Sequence, residues 1–156
     1  MSFDKKLTPE QAIQKLRHFC SYQERAHSEV KEKLADYGIY YEEAEEIISI
    51  LIQENYLNEQ RFAIQYAGGK FRMKQWGRKK IRYQLKLKGV SEYCIKAGMK
   101  EIDEDDYLKT LETLALKKWK SIPGNNKRLK DKKTYNYLSG KGFETELILE
   151  ELKKLN

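Results

Sequence analysis

One phrase recurs three times in this chain. It reads Val30-x3-Leu34-x3-Gly38 followed by Ile39, then Ile81-x3-Leu85-x3-Gly89 followed by Val90, then Thr134-x3-Leu138-x3-Gly142 followed by Phe143. The glycines are 51 and then 53 residues apart. A period near fifty means tandem copies of one small structural design. Apolar residues four apart share a helix face, and a glycine directly after such a face is where a helix turns out of its spiral. The copies agree beyond the phrase itself. Ala44, Ile95 and Ile148 each lie six residues after their glycine; Ile48, Met99 and Leu152 lie ten after; Leu51, Ile102 and Leu155 lie thirteen after. These are core positions of a repeated module. Such arrays present a long surface to an extended partner rather than one concave enzyme pocket.

Each copy reads as three helices, giving an all-α fold with repeats over residues 1–54, 55–102 and 103–156. In the first, Thr8 caps a helix with Pro9 at its first position and Gln11 closing a capping box. A second helix spans roughly 26–37, and a third carries Ala44, Ile47, Ile48, Leu51 and Ile52. In the second, Asn58 caps the first helix, Gly68-Gly69 breaks or softens its end, a helix starts near Gly77, and Ser91 caps the last one. The third opens with Tyr107-Leu108, an echo of Tyr56-Leu57, on a helix from about residue 103 to 120. Ile122-Pro123-Gly124-Asn125-Asn126 interrupts it, and an amphipathic helix over 144–155 closes the chain. A glycine turn between second and third helices is analogous to helix-turn-helix architectures.

Charge differentiates the copies. Residues 1–65 carry 8 basic and 12 acidic side chains, residues 66–100 carry 11 and 1, and residues 101–156 carry 12 and 11. The middle repeat therefore supplies the positive field, which suits a polyanionic partner. Lys70, Arg72, Lys74, Arg78, Lys79, Lys80, Arg82, Lys86 and Lys88 crowd this stretch, with Phe71, Trp76 and Tyr83 interleaved. On a helix at ~3.6 residues per turn, Arg78, Lys79, Arg82 and Lys86 fall in one arc, beside Ile81 and Leu85 facing inward. Cations on such a stripe meet phosphates, and aromatics beside them stack on unpaired bases. The competing role for Phe71 and Trp76 is packing. A second basic cluster runs from Lys117 to Lys133.

No Walker loop, dinucleotide fingerprint or nucleophile elbow occurs, so the sequence points away from an enzyme and calls for no cofactor. His18, Cys20 and His27, with Cys94 far off, lack the paired close spacing of a zinc site. The acidic runs at 42–46 and 103–106 fall at helix starts, where the helix dipole favours negative charge. The polar opening, residues 1–6, has no signal-peptide pattern, and the longest apolar run, 47–52, is too short to span a membrane. A cytoplasmic protein is expected.

The phrases Tyr56-Leu57-Asn58-Glu59-x-Arg61-Phe62-Ala63 and Gly77-x2-Lys80-Ile81-x3-Leu85-x2-Lys88-Gly89-Val90 resemble those of the RecX family, bacterial regulators of the RecA recombinase. Glu29-Val30-x3-Leu34-x3-Gly38-Ile39 is similar to that family's first unit. The third unit is the looser match, carried by Leu138, Gly142-Phe143 and Ile148. Over residues 72–78 this chain keeps the basic and glycine character of the family's pattern but not its proline. The resemblance implies a non-enzymatic, elongated and curved monomer of three helical repeats. It would bind RecA and RecA filaments on single-stranded DNA, and DNA directly in some members. It would restrain filament growth and, with it, ATP hydrolysis, strand exchange and coprotease activity. On this reading the filament contacts are Lys70, Arg72, Lys74, Trp76, Arg78, Lys79, Arg82 and Lys86. The alternative is a free-standing helix-turn-helix-like protein that binds DNA without RecA.

Overall fold

A computed structural model describes residues 6–156; the polar opening, residues 1–5, lies outside the described residues. Among the described residues the chain forms nine α-helices and no strand: α1 (Pro9–Tyr22), α2 (His27–Asp36), α3 (Tyr41–Gln53), α4 (Glu59–Gly69), α5 (Arg78–Leu87), α6 (Glu92–Lys100), α7 (Glu104–Ser121), α8 (Lys127–Gly140) and α9 (Thr145–Leu155). The expected all-α, three-by-three helix order is present.

The repeated phrase is a helix terminator built the same way each time. Gly38, Gly89 and Gly142 have φ of +80°, +79° and +97°. In each copy the residue after the glycine donates its N–H to the carbonyl of the phrase's leucine: Ile39 to Leu34 at 2.8 Å, Val90 to Leu85 at 3.1 Å and Phe143 to Leu138 at 3.2 Å. Each glycine N–H reaches back three residues, to Ala35, Lys86 and Ser139. This pair of bonds is the Schellman motif, and its apolar pair is buried in every copy. The phrase thus encodes a turn and the two core residues that hold it.

Other caps follow the sequence. Thr8 and Gln11 exchange the two bonds of a capping box, and Asn58, Ser91, Asp103 and Asn126 each accept a backbone N–H at a helix start. Ala44, Ile95 and Ile148 are all buried, as their common offset requires. The echo between Tyr56-Leu57 and Tyr107-Leu108 is not structural. Tyr56 precedes the cap of α4, whereas Tyr107 lies inside α7, four residues past its cap, and is fully buried. Its counterpart four residues past Asn58 is the buried Phe62.

The described chain gathers into two compact units. One comprises residues up to Gln65 with Leu85–Gly98; the other comprises Tyr66–Gln84 with Met99–Asn156. Helices α4, α5 and α6 each contribute residues to both. In the first unit, α1 and α2 pack on α3 around Leu16, Val30, Leu34, Ile47 and Leu51. Arg61 pairs with Glu24 at 2.5 Å, and Ser28 Oγ donates to the Lys88 carbonyl at 2.8 Å. In the second, α7, α8 and α9 pack on one another, and Tyr107 stacks between Phe71 and Phe143 at ring separations of 5.7 and 5.3 Å.

Thr134 stands where the other copies have Val30 and Ile81. It is fully buried, and its hydroxyl has no hydrogen-bond partner among the described residues. An unsatisfied buried hydroxyl costs about 1–3 kcal/mol. Thr134→Val is therefore expected to stabilise the protein by about 1 kcal/mol, raising the thermal midpoint by roughly 2–4 °C. A lower midpoint would mean that the hydroxyl is not the liability it is taken for.

Candidate functional site

The basic stretch of the second unit starts from an unusual helix end. The sequence places a break or softened helix end at Gly68-Gly69; α4 ends at Gly69, and the chain continues as a π-helical turn, Lys70–Lys74. Gly69 has ordinary helical angles, and the chain turns only at Gln75, where φ is +56°. Gly68 serves close approach instead. The Arg72 guanidinium lies against it, where an added Cβ would stand 2.7 Å away. The π turn directs Phe71 into the core and leaves Arg72 and Lys74 exposed.

Next along the chain, Trp76 is half-buried, and two ammonium groups approach its ring: Lys70 at 5.1 Å and Lys80 at 4.8 Å from the centroid. Lys70 also lies 5.4 Å from the Tyr66 ring. Lys141 continues the series. Its Nζ donates to the Lys74 carbonyl at 2.9 Å and lies 5.8 Å from the Tyr137 ring, which Lys118 approaches to 5.2 Å. Burial lowers the pKa of Lys141 below the ordinary lysine range, and the charge of Lys80 lowers it further. Lys70, Trp76, Lys80, Lys141, Tyr137 and Lys118 thus form a ladder of cations and rings within one compact unit. Among the described residues none of its lysines makes an ion pair. Cations held this close without counter-charge attract an anion, and the rings between them offer stacking surfaces.

Arg78 has another role. Its guanidinium pairs with Glu104 and, at 2.8 Å, with Glu144, and its Cζ lies 3.8 Å from the Tyr107 ring centroid. The Arg78 backbone N–H donates to the Tyr107 hydroxyl at 2.9 Å, and that hydroxyl donates to Glu144 at 2.5 Å. Burial opposes the guanidinium charge, but the hydrogen bond and charge of Glu144 hold its pKa above the ordinary value. Arg78 is a clamp that fixes the start of α5, so it positions its neighbours.

The backbone beside it is equally close. Gly77 N–H donates to the Lys141 carbonyl at 2.7 Å, and Lys79 N–H donates to that of Gly142 at 2.9 Å. The structure therefore brings Lys70, Trp76 and the backbone of Lys74 together with Lys80 and Lys141. It sets Lys79 outward on α5 and Arg82 half-buried on the same helix. Lys86 is exposed on the stretch of α5 that belongs to the first unit. Sequence reasoning placed Lys118 in the second basic cluster but missed Lys141 and Tyr137 as members. Their only sequence trace is a basic run beside aromatics in the third repeat.

Two family models match this chain. One, the second three-helix domain of RecX, covers residues 58–99; the other, the third three-helix domain of RecX, covers residues 104–152. The chain belongs to the RecX family. Among the relatives, "Regulatory protein RecX" of Clostridium tetani is 34% identical over 81% of this chain and 59% of its own length. That of Chlorobium phaeobacteroides is 31% identical over 67% of each. This chain spans 52% to 59% of the length of the first Clostridium and Bacillus relatives it matches. The crystal structure of RecX from Lactobacillus salivarius has the same fold, with a TM-score of 0.85 over 94% of this chain and 96% of that one, at 24% identity. The Gly77-x2-Lys80-Ile81 phrase of the ladder lies inside the matched second domain of RecX, and Lys141 and Tyr137 lie inside the third.

No group of three or more His, Cys, Asp or Glu side chains among the described residues could hold a metal ion. Burial pushes the Cys20 thiol up to about 11 and raises that of Cys94, so both disfavour the reactive thiolate form. No described helix is long and apolar enough to cross a membrane.

Proposed function

We propose that this protein is a regulator of the RecA recombinase that binds RecA filaments on single-stranded DNA and restrains them. The observation that carries the reading is the unpaired ladder of lysines and rings around Trp76. The regulatory name of the relatives supports a regulatory role, and the resemblance to the RecX family suggests RecA as the partner. Lys70, Lys74, Lys79, Lys80, Lys141 and Lys118 would meet the phosphates of the filament's DNA or acidic loops of RecA. Trp76 and Tyr137 would offer stacking surfaces, Arg72 and Arg82 would extend the contact, and Lys86 is a further contact on the other stretch of α5. Arg78 acts through the clamp that sets α5. The reading implies a cytoplasmic, monomeric protein of three tandem domains that works without a cofactor.

The test is RecA ATPase on single-stranded DNA as this protein is added. Hydrolysis is expected to fall. The double charge reversal Lys74→Glu/Lys79→Glu is expected to shift the inhibition curve to higher protein and to reduce its salt slope by about one for each phosphate no longer neutralised. Unchanged hydrolysis and unchanged filament length at saturating protein would refute the reading. Tight, sequence-selective binding to duplex DNA without RecA would favour the free-standing DNA-binding alternative.

A further inference from the structure

The first unit carries a groove of about 530 Å³ whose lining runs against the charge of its surroundings. Residues 1–65 are net acidic, yet the groove is lined by Lys15, Arg25 and Lys33 with His18, Phe19, Tyr22, Tyr37 and Gln14, and by no carboxylate among the described residues. Its volume is that of a small-ligand pocket, ~300–1,000 Å³.

Two cations converge on one ring at its centre. Arg25 Cζ lies 3.7 Å and Lys33 Nζ 5.3 Å from the Phe19 centroid. Arg25 is fixed there, because its Nε donates to the Phe19 carbonyl at 2.9 Å, which leaves the outer guanidinium nitrogens available. Neither cation makes an ion pair among the described residues. Their separation is below the ~10 Å over which salt screens charge, so each raises the cost of the other until an anion arrives. Tyr22 stands at the groove with 79% of its surface exposed, a large ring with little protein packed on it. The same design, one ring between two unpaired cations, occurs at Trp76 and at Tyr137 in the second unit.

We propose that this groove is a separate binding site for single-stranded nucleic acid. An unpaired base stacks on Tyr22, and the adjoining phosphate is held by Arg25, Lys33 and Lys15. An acidic peptide would satisfy the cations but would leave the exposed ring without purpose, whereas a nucleotide uses both. The site stands without RecA and without the ladder of the second unit.

The test uses the full chain and a short single strand carrying 5-iodouracil, a photo-crosslinker that adds to aromatic rings, with the adducts mapped by peptide mass spectrometry. Adducts are expected on Phe19 or Tyr22, and they should persist in Lys74→Glu/Lys79→Glu. In that background, Tyr22→Ala is expected to weaken oligonucleotide binding roughly fivefold or more, Tyr22→Phe to leave it unchanged, and Lys15→Glu to weaken it with a shallower salt dependence. Tyr22 and Lys15 are exposed, so these variants keep the fold. Adducts confined to the second unit overturn the proposal. So does a polyglutamate peptide that binds at this groove while the oligonucleotide does not. Lack of adducts in a protein that still inhibits RecA overturns this site and leaves the filament reading standing.

Discussion

Alanine at Gly142 is expected to destabilise the protein by about 4 kcal/mol, and alanine at Gly89 by only about 1. Both glycines end a helix in the same Schellman turn at positive φ, +97° and +79°. A left-handed conformation costs an ordinary residue roughly 1–2 kcal/mol, which both variants incur. Space separates them. A Cβ at Gly89 meets nothing within 4 Å, whereas one at Gly142 would stand 2.4 Å from the Lys80 Cβ and 2.6 Å from the Lys80 backbone nitrogen. Backbone cannot swing aside as a flexible side chain can, and forced overpacking adds about 1–3 kcal/mol. The intrusion would also strain the bonds that join Gly77 to Lys141 and Lys79 to Gly142. Against a total stability of roughly 5–15 kcal/mol, the larger loss leaves a marginal protein. Urea midpoints of the two variants decide the matter; equal losses would show that the close approach at Gly142 carries no energy.

Arg78→Ala is expected to cost about 3 kcal/mol. Arg78 and Glu144 are each 24% exposed at the side chain, so deletion of the cation strands a largely buried carboxylate and takes the stacked guanidinium from Tyr107. The pair with Glu104 contributes little, since that carboxylate is 63% exposed. Burial already pushes the Tyr107 phenol far above its ordinary range, and its hydrogen bond to Glu144 pushes the same way, so Tyr107 stays a neutral donor throughout. Lysine will not restore the loss, because an ammonium cannot make a forked contact and stack at once. The measurement is a double-mutant cycle with Glu144→Gln followed by thermal unfolding. If Arg78→Ala unfolds at the parent temperature but inhibits RecA poorly, Arg78 is a ligand contact after all and the clamp is incidental.

Those two residues show what a sequence discloses. The Schellman glycines were legible because their chemistry is local: a leucine, a glycine and an apolar residue contain the whole turn. The caps at Thr8, Asn58 and Ser91 were legible for the same reason. Arg78 was legible only as a charge. Its partner Glu144 lies 66 residues away, and nothing near Arg78 in the chain distinguishes a clamp from a phosphate contact. Lys141 was hidden likewise, since its neighbours Lys74 and Lys80 belong to another repeat of the sequence. Gly68-Gly69 marked a softened helix end, where α4 gives way to the π turn. Glycine permits a break but does not require one, and here the absent Cβ makes room for Arg72. Charge counting located the basic segment; which lysine meets which ring became visible only in three dimensions.

Because Tyr66–Gln84 is built into one compact body with Met99–Asn156, the sequence period and the packing draw different borders through this molecule. The sequence repeats every fifty residues or so, yet the middle copy is divided between two compact bodies. A fragment ending at Ile102 would hold the whole middle copy and still lack Tyr107, Lys141, Gly142 and Glu144, the residues that seat Gly77, Arg78 and Lys79. The middle repeat must therefore fold in company, and swapped alone between relatives it would carry its sequence across and leave part of its scaffold behind.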